Sequence, residues 1–129
     1  MRSVDTNIIL RFLVRDDVEQ EARADAILQQ NFFVTLSVLV ETEWVLRSSY
    51  RWSRQMIHQG LSGLWALPAL IEIDPRVPWA FDRYAQGADL ADMLHLIAST
   101  PADSFATFDR RLAAQAGPDS PVAIETLDA

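Results

Sequence analysis

The chain contains no cysteine, and its basic complement is 11 arginines without a single lysine. The first absence excludes disulfides, thiolate metal sites and cysteine nucleophiles, and agrees with a reducing compartment. The second removes the lysine that a phospho-acceptor receiver domain relies on. Histidine is also scarce: His58 and His95, the two present, lie in unrelated helical contexts. No apolar run reaches the roughly 20 residues that a bilayer span requires. A carboxylate, Asp5, stands where a signal peptide would need its apolar stretch, so a soluble, cytoplasmic protein is expected. Repeats, low-complexity tracts and Gly/Ser linkers are missing as well.

What is present suits one core. With 129 residues, 50% hydrophobic and 9% aromatic, the chain is expected to form a single domain over 1–129. Its formal charge of −7 argues against coating nucleic acid through a broad basic film. Arginine forks can nonetheless grip phosphate oxygens bidentately. Asp16, Asp17, Glu19, Glu21 and Asp25 fall on one early helix and read as solvated surface.

Short apolar runs alternate with longer helical patterns. Residues 2–5 read as a strand, 7–14 as a helix carrying Ile8, Ile9, Phe12 and Leu13, and 17–30 as a charged helix with Ala22, Ala26 and Ile27 inward. Phe32 to Leu36 reads as a second strand. Ser37 is placed to cap a helix through Ser48, and Ser53 to cap one whose Met56, Ile57, Gly60, Leu61, Leu64 and Trp65 share a buried face. After Pro68, Leu70 to Ile73 alternates like a third strand; Pro75 and Pro78 open a helix to about Gln86, which Gly87 closes. Asp89 starts a helix with Leu94 and Ile97. Ser104 to Phe108 then supplies a fourth strand, and Val122 to Leu127 a candidate fifth. The alternation predicts an α/β fold with a mostly parallel sheet covered on both faces, whose ligand site lies beyond the carboxyl ends of the strands.

Four acids fall where strands meet helix starts: Asp5, Glu41, Asp92 and Asp109. Converged carboxylates, with no lysine and few histidines, would leave Mg²⁺ or Mn²⁺ as the source of positive charge for chemistry. Each has a plainer role beside that one. Asp5 follows a strand and precedes a helix, as an N-cap does, with Asn7 able to orient it; Asp109 is placed to cap a short helix from Arg110 to Ala116, with Thr107 as strand filler. Glu41 lies in an apolar stretch where an unpaired charge would cost several kcal/mol. Its neighbour Glu43, about 200° further around the helix, is expected to face solvent. Asp89, Asp92 and His95 recur every three residues and share a face; Asp89 is equally a cap, and His95 reads as a surface residue because hard cations prefer oxygen.

The sequence resembles the PIN-domain nucleases, specifically the VapC-type toxins of bacterial toxin–antitoxin pairs. The resemblance spans nearly the whole chain. It is carried by Val4-Asp5-Thr6-Asn7-Ile8-Ile9-Leu10-Arg11, by Ser37-Val38-Leu39-Val40-Glu41 with Trp44 to Tyr50 following, by Gly87-Ala88-Asp89-Leu90-Ala91-Asp92-Met93-Leu94, and by Thr107-Phe108-Asp109. It implies a three-layer α/β/α sandwich around a mostly parallel sheet of four to five strands, and a metal-dependent endoribonuclease. Asp5, Glu41 and Asp92 match the family's core metal-binding acids. Asp109 matches its more variable fourth acid, and Asp89 is an auxiliary ligand competing with Asp92 for the third position. The arginine-only, acidic composition is where the chain departs from its relatives.

The chemistry this implies is hydrolysis of RNA phosphodiester bonds, with Mg²⁺ or Mn²⁺ lowering the pKa of a bound water and stabilising charge on the leaving oxygen. A metal-free route through the RNA 2′-hydroxyl would need a paired acid and base that His58 and His95 do not supply. An aspartyl phosphotransferase would want an aspartate two residues after Asp5, where Asn7 stands. The remaining alternative is a catalytically inactive PIN-like module that binds a protein partner. The resemblance further implies an antitoxin that inserts an arginine among the acids, and a homodimer. Trp44, Trp52, Trp65 and Trp79 exceed what so small a core needs, which places one or two at an interface, with Trp44 and Trp65 assigned to the core.

Overall fold

In the computed structural model, which describes residues 1–128, the chain packs as two compact units, one of Met1–Pro75 and one from Arg76 onward. The first runs β1 (Arg2–Ser3), α1 (Thr6–Val14), α2 (Val18–Leu28), β2 (Phe32–Phe33), α3 (Leu36–Ser48) and α4 (Arg54–Trp65). Its strands are short and parallel, pairing Arg2 with Phe32 and Ser3 with Phe33. On its other edge Phe32 bridges Leu70, donating to the Ala69 carbonyl at 3.1 Å and accepting from the Ile71 amide at 2.8 Å. The strand expected over Leu70–Ile73 is therefore reduced to that one bridge. Ile71 and Ile73 are 41% and 42% exposed, so their alternation marks no buried face.

Local chemistry starts the helices. Asp5, Asp17 and Ser53 each accept a hydrogen bond from the amide three residues on, capping α1, α2 and α4. The cap of α3 is Thr35, whose hydroxyl accepts from the Val38 amide, and not the expected Ser37. α1 ends at Arg15, held in the left-handed region at φ 57°. Arg15 then pairs with Asp25 at 2.8 Å and Glu21 at 3.2 Å, while Arg11 pairs with Asp16 at 2.9 Å, so the early acids are surface groups as expected.

The inward face of α2 differs from the expected one. Ala24 and Leu28 are buried, Ile27 is half-buried, and Ala22 and Ala26 are exposed. On α4, Ile57, Leu61, Leu64 and Trp65 are buried as the spacing predicts, but Met56 is 47% exposed. Ile9, Phe32, Val34, Leu39, Leu46, Ile57, Leu61 and Leu64 make up the fully buried apolar centre of this unit.

The second unit runs α5 (Val77–Ala85), α6 (Leu90–Ala98), β3 (Ser104–Thr107), α7 (Leu112–Ala116) and β4 (Ala123–Thr126). Pro78 sits in the first turn of α5, where its missing amide costs nothing. Gly87, at φ 113°, turns the chain between α5 and α6, a conformation that a side chain would strain. α5 and α6 pack on each other, burying Phe81, Tyr84, Met93, Leu94 and Ile97. β3 and β4 are parallel in the register Ser104 with Ala123 to Thr107 with Thr126. The strand pairing seen is thus two short parallel ribbons and one bridge, in a mixed α/β arrangement.

Candidate functional site

In the first unit a threonine ties the segment that follows β1 to α3. Asp5 follows β1, and its Oδ1 accepts from the Ile8 amide at 3.1 Å. Capping uses one oxygen, so the other stays available to a ligand: the cap and ligand roles weighed for Asp5 are compatible. Thr6, buried beside it, donates its hydroxyl to Glu41 Oε1, across 35 residues of sequence. The backbone neighbour of one acid thus holds the other in place. Asn7 is exposed and plays no part in that bond.

Glu41 itself is exposed, while Glu43 is the acid α3 buries, at 7% exposure. This reverses the expected pair. α3 is apolar on nearly every side, so flanking residues do not reveal which glutamate faces inward. Glu43 accepts from Arg47 Nε at 2.8 Å, one turn along the helix. Trp44 is 56% exposed and not a core residue, whereas Trp65 is buried as assigned.

In the second unit three carboxylates share one neighbourhood. Asp89 caps α6, its Oδ1 accepting from the Asp92 amide at 2.9 Å. Asp109, after β3, accepts from the Arg111 amide at 2.9 Å, and its own amide donates to Thr107 Oγ1 at 3.0 Å. Thr107 is therefore a turn former and more than strand filler. α7 starts later than expected, from Arg111, and Asp109 closes the turn before it.

Asp92 is half-buried in the first turn of α6, and among the described residues no donor reaches its carboxylate. Burial above all, then the negative charges of Asp89 and Asp109, push its carboxyl above the usual range; exposed His95 acts weakly the other way. A carboxylate with two like charges near it and no donor of its own is a candidate to hold a cation. The donors are oxygens, which suits a hard ion such as Mg²⁺ or Mn²⁺. Among the described residues no three acids stand at coordination spacing, so the fit lies in donor chemistry and charge.

A model of the PIN domain matches residues 3–118. The chain belongs to the PIN domain family. That match takes in Asp5, Glu41, Asp89, Asp92 and Asp109. No curated protein and no solved structure matches the chain. PIN domains are in general nuclease-type domains, usually hydrolases, and typically use divalent metals. In this PIN domain no helix among the described residues is long and apolar enough to cross a membrane. Sequence reasoning missed Thr6, whose only signal was its place beside Asp5, and Thr107, which stands two residues before Asp109.

Proposed function

We propose that this PIN domain is a Mg²⁺- or Mn²⁺-dependent endoribonuclease and the toxin of a toxin–antitoxin pair. The observation that carries the reading is Asp92: a half-buried carboxylate, pushed up by burial and by Asp89 and Asp109, with no donor of its own. A cation would remove that penalty, and family membership supplies the chemistry a cation would serve.

In this reading Asp5, Glu41 and Asp92 are the principal metal ligands, Asp109 the fourth acid and Asp89 an auxiliary one. A Mg²⁺ or Mn²⁺ ion held there would supply an activated water and neutralise charge at the scissile phosphate. The chain's own residues hold and orient: Thr6 fixes Glu41, Thr107 and the Arg111 amide fix the Asp109 turn, and the Asp5 and Asp89 caps leave one oxygen each. The reading includes the family's three-layer arrangement with a sheet of four to five strands, a cytoplasmic location, a homodimer, and an antitoxin whose arginine enters the acidic site.

The test is cleavage of a total RNA pool by the partner-free protein with Mn²⁺, with Mg²⁺ and with EDTA, Asp92→Asn running alongside. Metal-dependent products absent from the variant support the nuclease. No cleavage together with no metal binding in calorimetry would replace it with a protein-binding module.

A further inference from the structure

The second unit holds a cavity of about 450 Å³ whose walls include Arg83, Gln86, Gly87, Arg110, Arg111 and Gln115. Three arginines around one hollow is a concentration of positive charge in a chain of net charge −7. Two of them have no carboxylate partner among the described residues. Arg110 is exposed and among the described residues makes no ion pair. Arg83 is satisfied by neutral groups: its Nε donates to the Gln115 carbonyl at 2.7 Å, one terminal nitrogen to the Ala114 carbonyl at 3.3 Å and the other to Gln86 at 3.4 Å. Arg111 meets Asp109 at 3.8 Å with its side chain 83% exposed, a contact worth little.

Arg83 is also held rigidly. Its guanidinium lies where a Cβ on Gly117 would stand 3.1 Å from its central carbon, and Gly117 has φ 73°. Glycine there admits the flat group and the left-handed backbone together. The arrangement is one fixed cation without a carboxylate partner among the described residues and two exposed ones, all lining one cavity. Such a set complements an anion, and arginine forks match phosphate oxygens in particular.

The cavity's place in the chain gives the anion an identity. Its Gly87-Ala88 wall leads directly into Asp89, and its Arg110-Arg111 wall directly follows Asp109. Resting on the nuclease reading above, we infer that this cavity binds a backbone phosphate of the RNA strand beside the one to be cut. It thereby sets where the strand runs past the acids. The locally basic cavity resolves how an acidic protein engages a polyanion: repulsion by the whole is offset at one seat.

The experiment measures binding apart from cleavage. A fluorescein-labelled single-stranded RNA is titrated by anisotropy against the Asp92→Asn protein, with and without Arg110→Gln/Arg111→Gln, across a series of salt concentrations. Removing two of the three arginines at this one phosphate seat should weaken binding about tenfold at low salt and flatten the slope of log K against log salt by up to about 0.7. Arg110→Lys/Arg111→Lys should restore most of the slope. Unchanged affinity and slope in the double Gln variant, or no RNA binding at all, would overturn the inference. So would displacement of the strand by adenosine monophosphate at comparable affinity, which would make the cavity a mononucleotide pocket. If the wild-type protein neither cleaves nor binds metal while arginine-dependent RNA binding persists, the nuclease reading falls and the phosphate seat stands.

Discussion

Asp92 is the residue on which stability and function pull apart. Its folded carboxyl is pushed above its ordinary value, first by burial and then by Asp89 and Asp109. A raised folded value means the folded protein holds that proton more tightly than the unfolded chain does. The contribution to stability is fully present below the unfolded value and is lost as pH rises through the folded one. At neutral pH the ionised group is thus a net burden in the metal-free protein. Asp92→Asn should melt higher than wild type near pH 7, with the difference shrinking as pH falls into the carboxylate range, while metal-dependent cleavage is abolished. Melting curves across pH, without metal, check the first part. A variant that melts lower at every pH would show that Asp92 is mainly structural.

Thr6 offers a second residue-scale test, because it touches a proposed ligand without being one. Removing its hydroxyl leaves Glu41 without the donor that orients it. Loss of a group that positions a ligand commonly costs 10–100-fold in metal affinity. Thr6→Val should therefore weaken Mn²⁺ binding by about that factor, read by calorimetry, while Thr6→Ser stays near wild type. Equal affinity in the Val and wild-type proteins would remove Thr6 from the site. Neither Thr6 nor the inward turn of Glu43 was legible beforehand. A threonine is common at a helix start, and α3 is too apolar all round for its pattern to name its inner face.

At the scale of elements, what could be read from the sequence is what is decided within a few residues. Asp5, Ser53 and Asp89 cap where they stand because an N-cap needs just its own side chain and an amide three residues on. Gly87 closes α5 for an equally local reason. What failed depends on partners distant in the chain. Leu70–Ile73 alternates, yet it meets β2 at Leu70 alone. The alanines of α2 give little amphipathic contrast, so packing against α1 selects Ala24 and Leu28 over Ala22 and Ala26. The shift of the α3 cap from Ser37 to Thr35 is directly testable. Thr35→Ala should cost about 1 kcal/mol in denaturant unfolding, and Ser37→Ala no more than about 0.5. The reverse order would return the cap to Ser37.

For the molecule as a whole, the balance of 18 acids against 11 arginines governs whom it meets. An arginine from a protein partner and a divalent cation would seek the same carboxylates, and each would lower the Asp92 carboxyl pKa that burial and like charge raise. Two ligands competing for one set of acids are coupled with opposite sign, and the coupling is reciprocal. On the proposed reading, the partner-free protein cleaves RNA and the complex does not; raising Mn²⁺ should weaken the partner's apparent affinity by the same factor by which the partner weakens Mn²⁺. Isothermal titration of the partner at several Mn²⁺ concentrations measures one side, and titration of Mn²⁺ into the complex the other. Asp92→Asn should lessen both effects together, since it removes a charge that both ligands use. A complex as active as the free chain, or partner affinity indifferent to Mn²⁺, would place the partner away from the acids.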